Sequence, residues 1–409
     1  NPATIMTTGG NITLNATATN SYGLVLYENT NISTVDGNIT ITATSPAFHD
    51  INAVGTALGH VISSTNGNIT LNIDDIGLNT GTSISAGDTL NIFTIDPTTT
   101  IGLGTGATGA LNLDNAELSR LSASNKIVIG EDGVQTGDMD VNAWDLSDTD
   151  FDVEFYANDI NMGGITMGTG DILAHAQDNG VDTGDLTVDG NIDRDEAGTS
   201  TLDLRADQNI YIDTVTIESS TGALNITLNS DRDADEDGKI IVWDSTLTTL
   251  GGYFVAGGGD GTIGGTNGIL GDGDGTGADD IAAFSDGDGH AFEIGESILS
   301  TSGGDIIIHG NAKGAGSSRG VSVYISEINS GDGDIIVTAE STGNTNNPKA
   351  FDLVGDGAGT AAKLTSAAGD IIITANSPVA NVGIAFWDDA EISTIDGNIT
   401  ITSSAAADS

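Results

Sequence analysis

The chain has 409 residues, with 59 Asp and Glu against 10 Lys and Arg and a formal net charge of -49. Such a surface is a poor partner for nucleic acid or anionic membrane, because phosphate binding needs clustered Lys and Arg. With no Cys there is neither a disulfide framework nor thiolate chemistry, and no apolar run approaches the roughly 18 residues of a membrane span.

Charged residues make up 17% and hydrophobic residues 37%, the latter mostly Ile, Val, Leu and Ala in short alternating runs. That is too much patterned apolar content for an acidic disordered tail. The 58 Gly with only 5 Pro, in no Gly-X-Y period, point to frequent turns and close backbone approach and not to collagen. The first residue is Asn1, so we read the chain as a processed or excised piece of an exported protein.

In chain order, the first element is a Gly followed by Asn or Asp and then alternating Ile and Thr, as in GNITL at Gly10. It returns as GNITI at Gly37, GNITL at Gly67, GDIII at Gly304, GDIIV at Gly333, GDIII at Gly369 and GNITI at Gly397. The spacings are 27 and 30 residues in the first group and 29, 36 and 28 in the second. Weaker relatives lie between, at Gly87, Gly109, Gly137, Gly170, Gly184 and Gly222. A second element falls about halfway between copies of the first: GLVLY at Gly23, GVSVY at Gly320 and GIAFW at Gly383. A third, ISTVD at Ile32 and ISTID at Ile392, closes the unit. Each unit reads as three short strands joined by Gly, Asn, Asp and Ser turns.

Three strands repeating every 27 to 30 residues match one coil of a parallel β-helix, with coils stacked about 4.8 Å apart. A row of β-sandwiches would need roughly 100 residues before its pattern returned. The fold predicted is therefore all-β, a parallel β-helix or β-solenoid with coils of about 27–30 residues and irregular central insertions. Regular coils are expected over 1–130 and 296–409, less regular coils with an acidic loop over 131–250, and a Gly/Asp-rich loop or insertion over 251–295. The unit with GDIxIxA and IxSxxG resembles repeats of large bacterial exoproteins and adhesins of the filamentous-haemagglutinin type. That resemblance covers the two ends of the chain and implies a parallel β-helical protein, secreted or at the cell surface.

The ends look alike. ATIMTTGGNIT from Ala3 and AEISTIDGNIT from Ala390 place an Ile five positions before the Gly, Ile5 before Gly10 and Ile392 before Gly397. Neither terminus carries a helical cap, and Ser403 to Ser409 are too weakly patterned to form one. The expectation is a segment of a longer solenoid, or a subunit whose terminal coils stack head-to-tail on copies of itself into an open filament.

The sharpest chemical motif is DADEDGKIIVWD, which read as a calcium loop puts Asp233, Asp235 and Asp237 at positions 1, 3 and 5, Gly238 at 6 and Asp244 at 12. Asp replaces Glu at position 12 and IIVW reads as a strand, so an EF-hand is not expected. A structural Ca²⁺ in a β-context loop is the alternative to a solvated acidic turn. DGTGADDIA from Asp274 nearly fits a calcium nonapeptide, though in one imperfect copy.

An enzyme is the rival reading, since polysaccharide lyases and hydrolases also use parallel β-helices. Arg194, Arg205 and Arg232 lie among acids, which favours local ion pairs. The five His are far apart and give no zinc or nucleophile-base spacing, so no catalytic residue is assigned. Glycosylation sequons occur at Asn11, Asn15, Asn31, Asn38, Asn68, Asn225 and Asn398, and follow mostly from the repeat. The function expected is an extracellular structural scaffold, a filament subunit or adhesin shaft, with copies of itself and cell-surface polysaccharide as partners. The alternative is a carbohydrate-active or carbohydrate-binding β-helix.

Overall fold

A computed structural model describes residues 3–27, 29–54, 59–180, 183–233, 238–259, 283–285, 290–313, 318–342, 348–378 and 382–405. It is almost entirely β-strand, and every strand pair with a defined register is parallel. The contacts divide the chain into two compact units, Asn1–Gln177 and Asp178–Ser409. Each is a parallel β-solenoid, as the repeat predicts.

In the second unit each coil contributes one strand to each of three sheets. The coil with Arg319–Tyr324, Glu327–Asn329 and Ile335–Ser341 lies between the coil of His290–Gly295, Ile298–Ser300 and Ile306–Ala312 and that of Lys349–Val354, Lys363–Ser366 and Ile371–Ser377. Alternation follows from the two-residue period of a strand: Ile335, Val337 and Ala339 point inward and are buried, while their neighbours stay partly exposed. Register stacks like on like, so Ile306, Ile335, Ile371 and Ile399 form one column, and the first three are 0% exposed. Each such column removes aliphatic surface from water at about 25 cal/mol per Å².

Coil length is looser than the sequence period suggests. Asp171 sits over Asp152 after 19 residues, whereas Ser297 follows Ser245 after 52. The ladders fix only the strands and corners, so the number of residues between them can vary. The weaker Gly motifs divide in the same way. Those at Gly87, Gly170 and Gly222 precede strands of the same sheet as the strong copies, but those at Gly109, Gly137 and Gly184 precede strands of another sheet, Leu111–Leu113, Met139–Asn142 and Leu186–Val188. One Gly–Asx corner chemistry serves two edges of the coil.

The Gly is required by the stacking itself. A Cβ on Gly37 would overlap the backbone of Gly10, one on Gly67 that of Gly37, and the same holds for Gly333 over Gly304, Gly369 over Gly333 and Gly397 over Gly369. The Asn or Asp that follows does more than form a turn, because its side chain reaches the next coil. Asn11 Oδ1 accepts the backbone N–H of Asn38 at 2.9 Å and Asn38 Oδ1 that of Asn68 at 2.9 Å. In the second unit Asp305 accepts from Asp334 at 2.9 Å, Asp334 from Asp370 at 2.7 Å and Asp370 from Asn398 at 2.7 Å. A carboxylate accepting an N–H makes the charge-assisted form of the same bond, which explains why Asp and Asn alternate freely here.

The first unit carries a departure that the repeat does not announce. A sheet of Thr4–Thr7, Asn31–Thr34, Val61–Ser64, Ser83–Ala86 and Leu121–Ala123 ends at Leu121–Ala123. The next strand of the coil's third side is Ile165–Met167, and Ala143–Phe151 between them contributes only the bridge Asp145–Thr166. One turn of helix, Asn115–Leu118, stands beside this break, started by a capping box in which Asp114 accepts the Glu117 N–H at 2.8 Å and Glu117 accepts the Asp114 N–H at 3.2 Å.

Candidate functional site

The cohesive machinery of the corners is one candidate site. Three residues before the corner Gly stands a Ser or Thr; at Thr301 and Ser330 its hydroxyl donates to the carbonyl of its own corner Gly, and at Thr34, Ser64 and Thr394 it works twice. Ser64 Oγ accepts the Gly67 N–H at 2.9 Å and donates to the Gly37 carbonyl of the preceding coil at 2.8 Å. Thr34 does the same with Gly37 and Gly10, both at 3.1 Å, and Thr394 with Gly397 at 3.1 Å and Gly369 at 3.2 Å. The ISTVD and ISTID elements are thus hydroxyl ladders running beside the Asn/Asp ladder. A third corner is held by left-handed residues, Thr214, Asp244, Glu296 and Ile325, whose N–H groups bond to the carbonyls of Trp243, Gly295, Tyr324 and Val354 at 2.8 to 3.0 Å.

The same ladders run into the first and last coils of the described residues. Thr7 Oγ1 accepts the Gly10 N–H at 3.1 Å, and Asn398 donates through Nδ2 to Asp370 Oδ1 at 3.0 Å. Ile399 and Ile401 are 44% and 43% exposed, although Ile371 and Ile373, one coil earlier in the same columns, are 0% exposed. Phe386, Trp387 and Ile395 of that coil and Ile5 and Met6 of the first are also exposed.

A second cluster lies on the sheet of His290–Gly295, Arg319–Tyr324 and Lys349–Val354. Register aligns His290, Arg319 and Lys349 in one column, with Glu293, Ser322 and Asp352 in another. Asp352, whose side chain is 1% exposed, accepts from Arg319 Nε at 2.5 Å and Lys349 Nζ at 3.0 Å. Lys349 Nζ also lies 5.1 Å from the centre of the Trp387 ring. Burial and the neighbouring Arg319 push His290 down to about 4, while burial raises Glu293 despite the opposing pull of Arg319. Trp243 and Tyr324 stack at 6.0 Å across Gly295, whose missing side chain makes room for the indole. Trp243, Gly295, Tyr324, Val354 and Trp387 follow one another in one column of this sheet.

His309, on Ile306–Ala312, is 4% exposed, and burial alone drives it from 6.5 down to about 4. Its folded pKa lies below its unfolded value, so the neutral ring's contribution is present above pH 6.5 and is lost as pH falls to about 4. The total is about 3 kcal/mol. Denaturant titrations at pH 6.5 and 4.5 should show a loss in the wild type larger by ~2 kcal/mol than in His309→Gln. Equal losses would contradict this assignment.

The residues proposed for calcium are placed as follows. Asp233 precedes and Asp244 follows the strand Ile240–Trp243, as IIVW predicts, and Asp244 is exposed at a left-handed corner. Asp235 and Asp237 lie outside the described residues, as does the nonapeptide from Asp274. Among the described residues no group of three or more His, Cys, Asp or Glu is arranged to hold a metal. Of the rival catalytic cations, Arg205 pairs with Asp203 on its own strand at 2.6 Å, and Arg194 is 1% exposed and donates to the Thr221 carbonyl at 2.8 Å. Arg205 is thus paired within its own strand, and Arg194 bonds across to the next coil. Among the sequons, Asn11, Asn38, Asn68 and Asn398 are corner residues, Asn15 and Asn225 lie within strands, and Asn31 begins one. Asn225 Oδ1 accepts the Tyr253 N–H at 3.2 Å.

The class these features define is a parallel β-solenoid repeat protein with polar corner ladders. Comparison with protein-family models, with curated proteins and with solved structures finds no match. The resemblance to exoproteins of the haemagglutinin type is one of repeat pattern alone. No helix among the described residues is long and apolar enough to cross a membrane.

Proposed function

We propose that the protein is an extracellular structural scaffold, a filament subunit or adhesin shaft that is extended when the outermost coil of one copy stacks on the first coil of another. The observation that carries this reading is the complementarity of the ladder ends. Within the stack Asn11 receives the N–H of Asn38 in the next coil, and Thr34 donates to the Gly10 carbonyl of the coil before, as Ser64 and Thr394 do with Gly37 and Gly369. Asn398 would accept the Asn11 N–H of another copy in this way, and Thr7 would donate to Gly397. The apolar ends match too, because Ile399 and Ile401 would cover Ile12 and Leu14 in the relation that Ile12 and Leu14 have to Ile39 and Ile41. The polyanionic exterior keeps such an assembly soluble and resists side-by-side association at low salt.

Light scattering and electron microscopy of the purified chain test this reading. Concentration-dependent polymers are expected, and they should be lost in Ile401→Asp, which places a charge in the stacking column. Monodisperse single chains at high concentration would overturn it.

A further inference from the structure

The break in the first unit leaves a cavity of about 480 Å³ between Leu121–Ala123 with its adjoining helical turn and the segment Trp144–Phe151. Its origin is topological. Trp144–Phe151 bonds forward to the next coil, with the Leu146 N–H on the Thr166 carbonyl at 2.8 Å and the Thr166 N–H on the Trp144 carbonyl at 3.0 Å. It makes no ladder back to Leu121–Ala123. One rung is missing from the third side of the coil, and the space it would fill is the cavity.

The lining is divided by chemistry. Buried Leu118, Leu121, Trp144, Leu146 and Phe151 supply apolar surface, and Trp144 is braced by Phe155 with ring centres 5.9 Å apart. Asp145 and Asp148 are exposed and stand with hydroxyls of Ser119, Ser147 and Thr149. The Ser147 hydroxyl and N–H both bond to Asp145 Oδ1, at 2.7 and 3.0 Å, and hold its carboxyl below the usual range. Asp148 accepts no hydrogen bond from the described residues. No Lys or Arg lines the space, and Arg120, next to it in sequence, is turned to the Leu78 carbonyl.

We propose that this cavity is a binding site for a neutral carbohydrate of roughly one to two pyranose rings. A sugar offers hydroxyl donors to carboxylates that can only accept, and presents C–H faces to aromatic and aliphatic surface. An acidic sugar would be repelled by the two aspartates, and a bare cation would leave the apolar part of the lining without purpose. The proposal is independent of end-to-end stacking, since the cavity lies within one unit and away from the outermost coils.

Saturation-transfer NMR tests it with maltose, cellobiose and lactose at about 10 mM, alongside galacturonate and CaCl₂ as charged probes. At least one neutral disaccharide should bind. Its affinity should fall about tenfold or more in Asp148→Ala, which alters an exposed side chain, and in Ser119→Phe, which fills the space, with circular dichroism showing both variants folded. Three outcomes would overturn the proposal: no neutral sugar binds, binding is undiminished in folded Ser119→Phe, or only galacturonate or Ca²⁺ binds.

Discussion

Replacing Gly369 by alanine is expected to destabilise the Asp178–Ser409 unit by more than ~3 kcal/mol, among the largest effects of any single methyl group in the chain. The added Cβ would sit inside the carbonyl of Gly333 in the coil below and close to the Asp334 nitrogen. Those atoms are backbone and cannot swing aside as a side chain end would. Relief requires the two coils to separate at that corner, which also stretches the Asp334–Asp370 bond and uncovers the Ile335–Ile371 column. Gly9→Ala is the matched control: nothing lies within 4 Å of the place its methyl group would take, and a change below ~0.5 kcal/mol is expected. Urea denaturation followed by circular dichroism measures both. Similar small effects would mean that the corner glycines serve only as turns.

The second large effect is expected at Asp352. Its carboxylate is shielded from solvent and takes hydrogen bonds from both Arg319 and Lys349. Asp352→Ala leaves two partly buried cations facing each other with no counter-charge, and the cost expected is about 3–5 kcal/mol. Removing one cation as well should restore part of the loss, so Asp352→Ala with Lys349→Met is expected to be more stable than Asp352→Ala alone. A loss below ~1 kcal/mol in the single variant would show that the three charges are solvated and independent.

The three-strand coil was legible because its signals are local and recurrent. Gly, Asn and the alternating Ile and Thr of GNITI each answer to one requirement of the stack, and copies at Gly37 and Gly397 answer identically. What the Asn does was half visible: the sequence suggests a turn, while its bond to the coil above depends on which residue lies 27 or 30 positions away. The charge cluster was hidden for a different reason. His290, Arg319 and Lys349 follow one another at about the repeat period, but none belongs to a recurring motif, so nothing in the sequence marks them as one column. The missing rung gave no signal, because GDMDV at Gly137 resembles the corner motif yet starts a strand of another sheet. The calcium loop of Asp233, Asp235, Asp237 and Asp244 was read from spacing alone, and two of its four carboxylates, Asp235 and Asp237, lie outside the described residues.

Parallel, in-register stacking of coils underlies both the fold and the proposed scaffold, and a pair of introduced cysteines tests it most directly, since the chain has none of its own. Thr338 and Thr374 are register partners on the outward side of adjacent coils, 36 residues apart. In the double variant Thr338→Cys, Thr374→Cys, a bifunctional thiol reagent spanning about 5 Å should cross-link the pair rapidly within one chain. The two-residue offset pair Thr338→Cys, Ile372→Cys should react far more slowly. Equal rates, or preferential reaction of the offset pair, would contradict the stacked solenoid and the scaffold reading built on it.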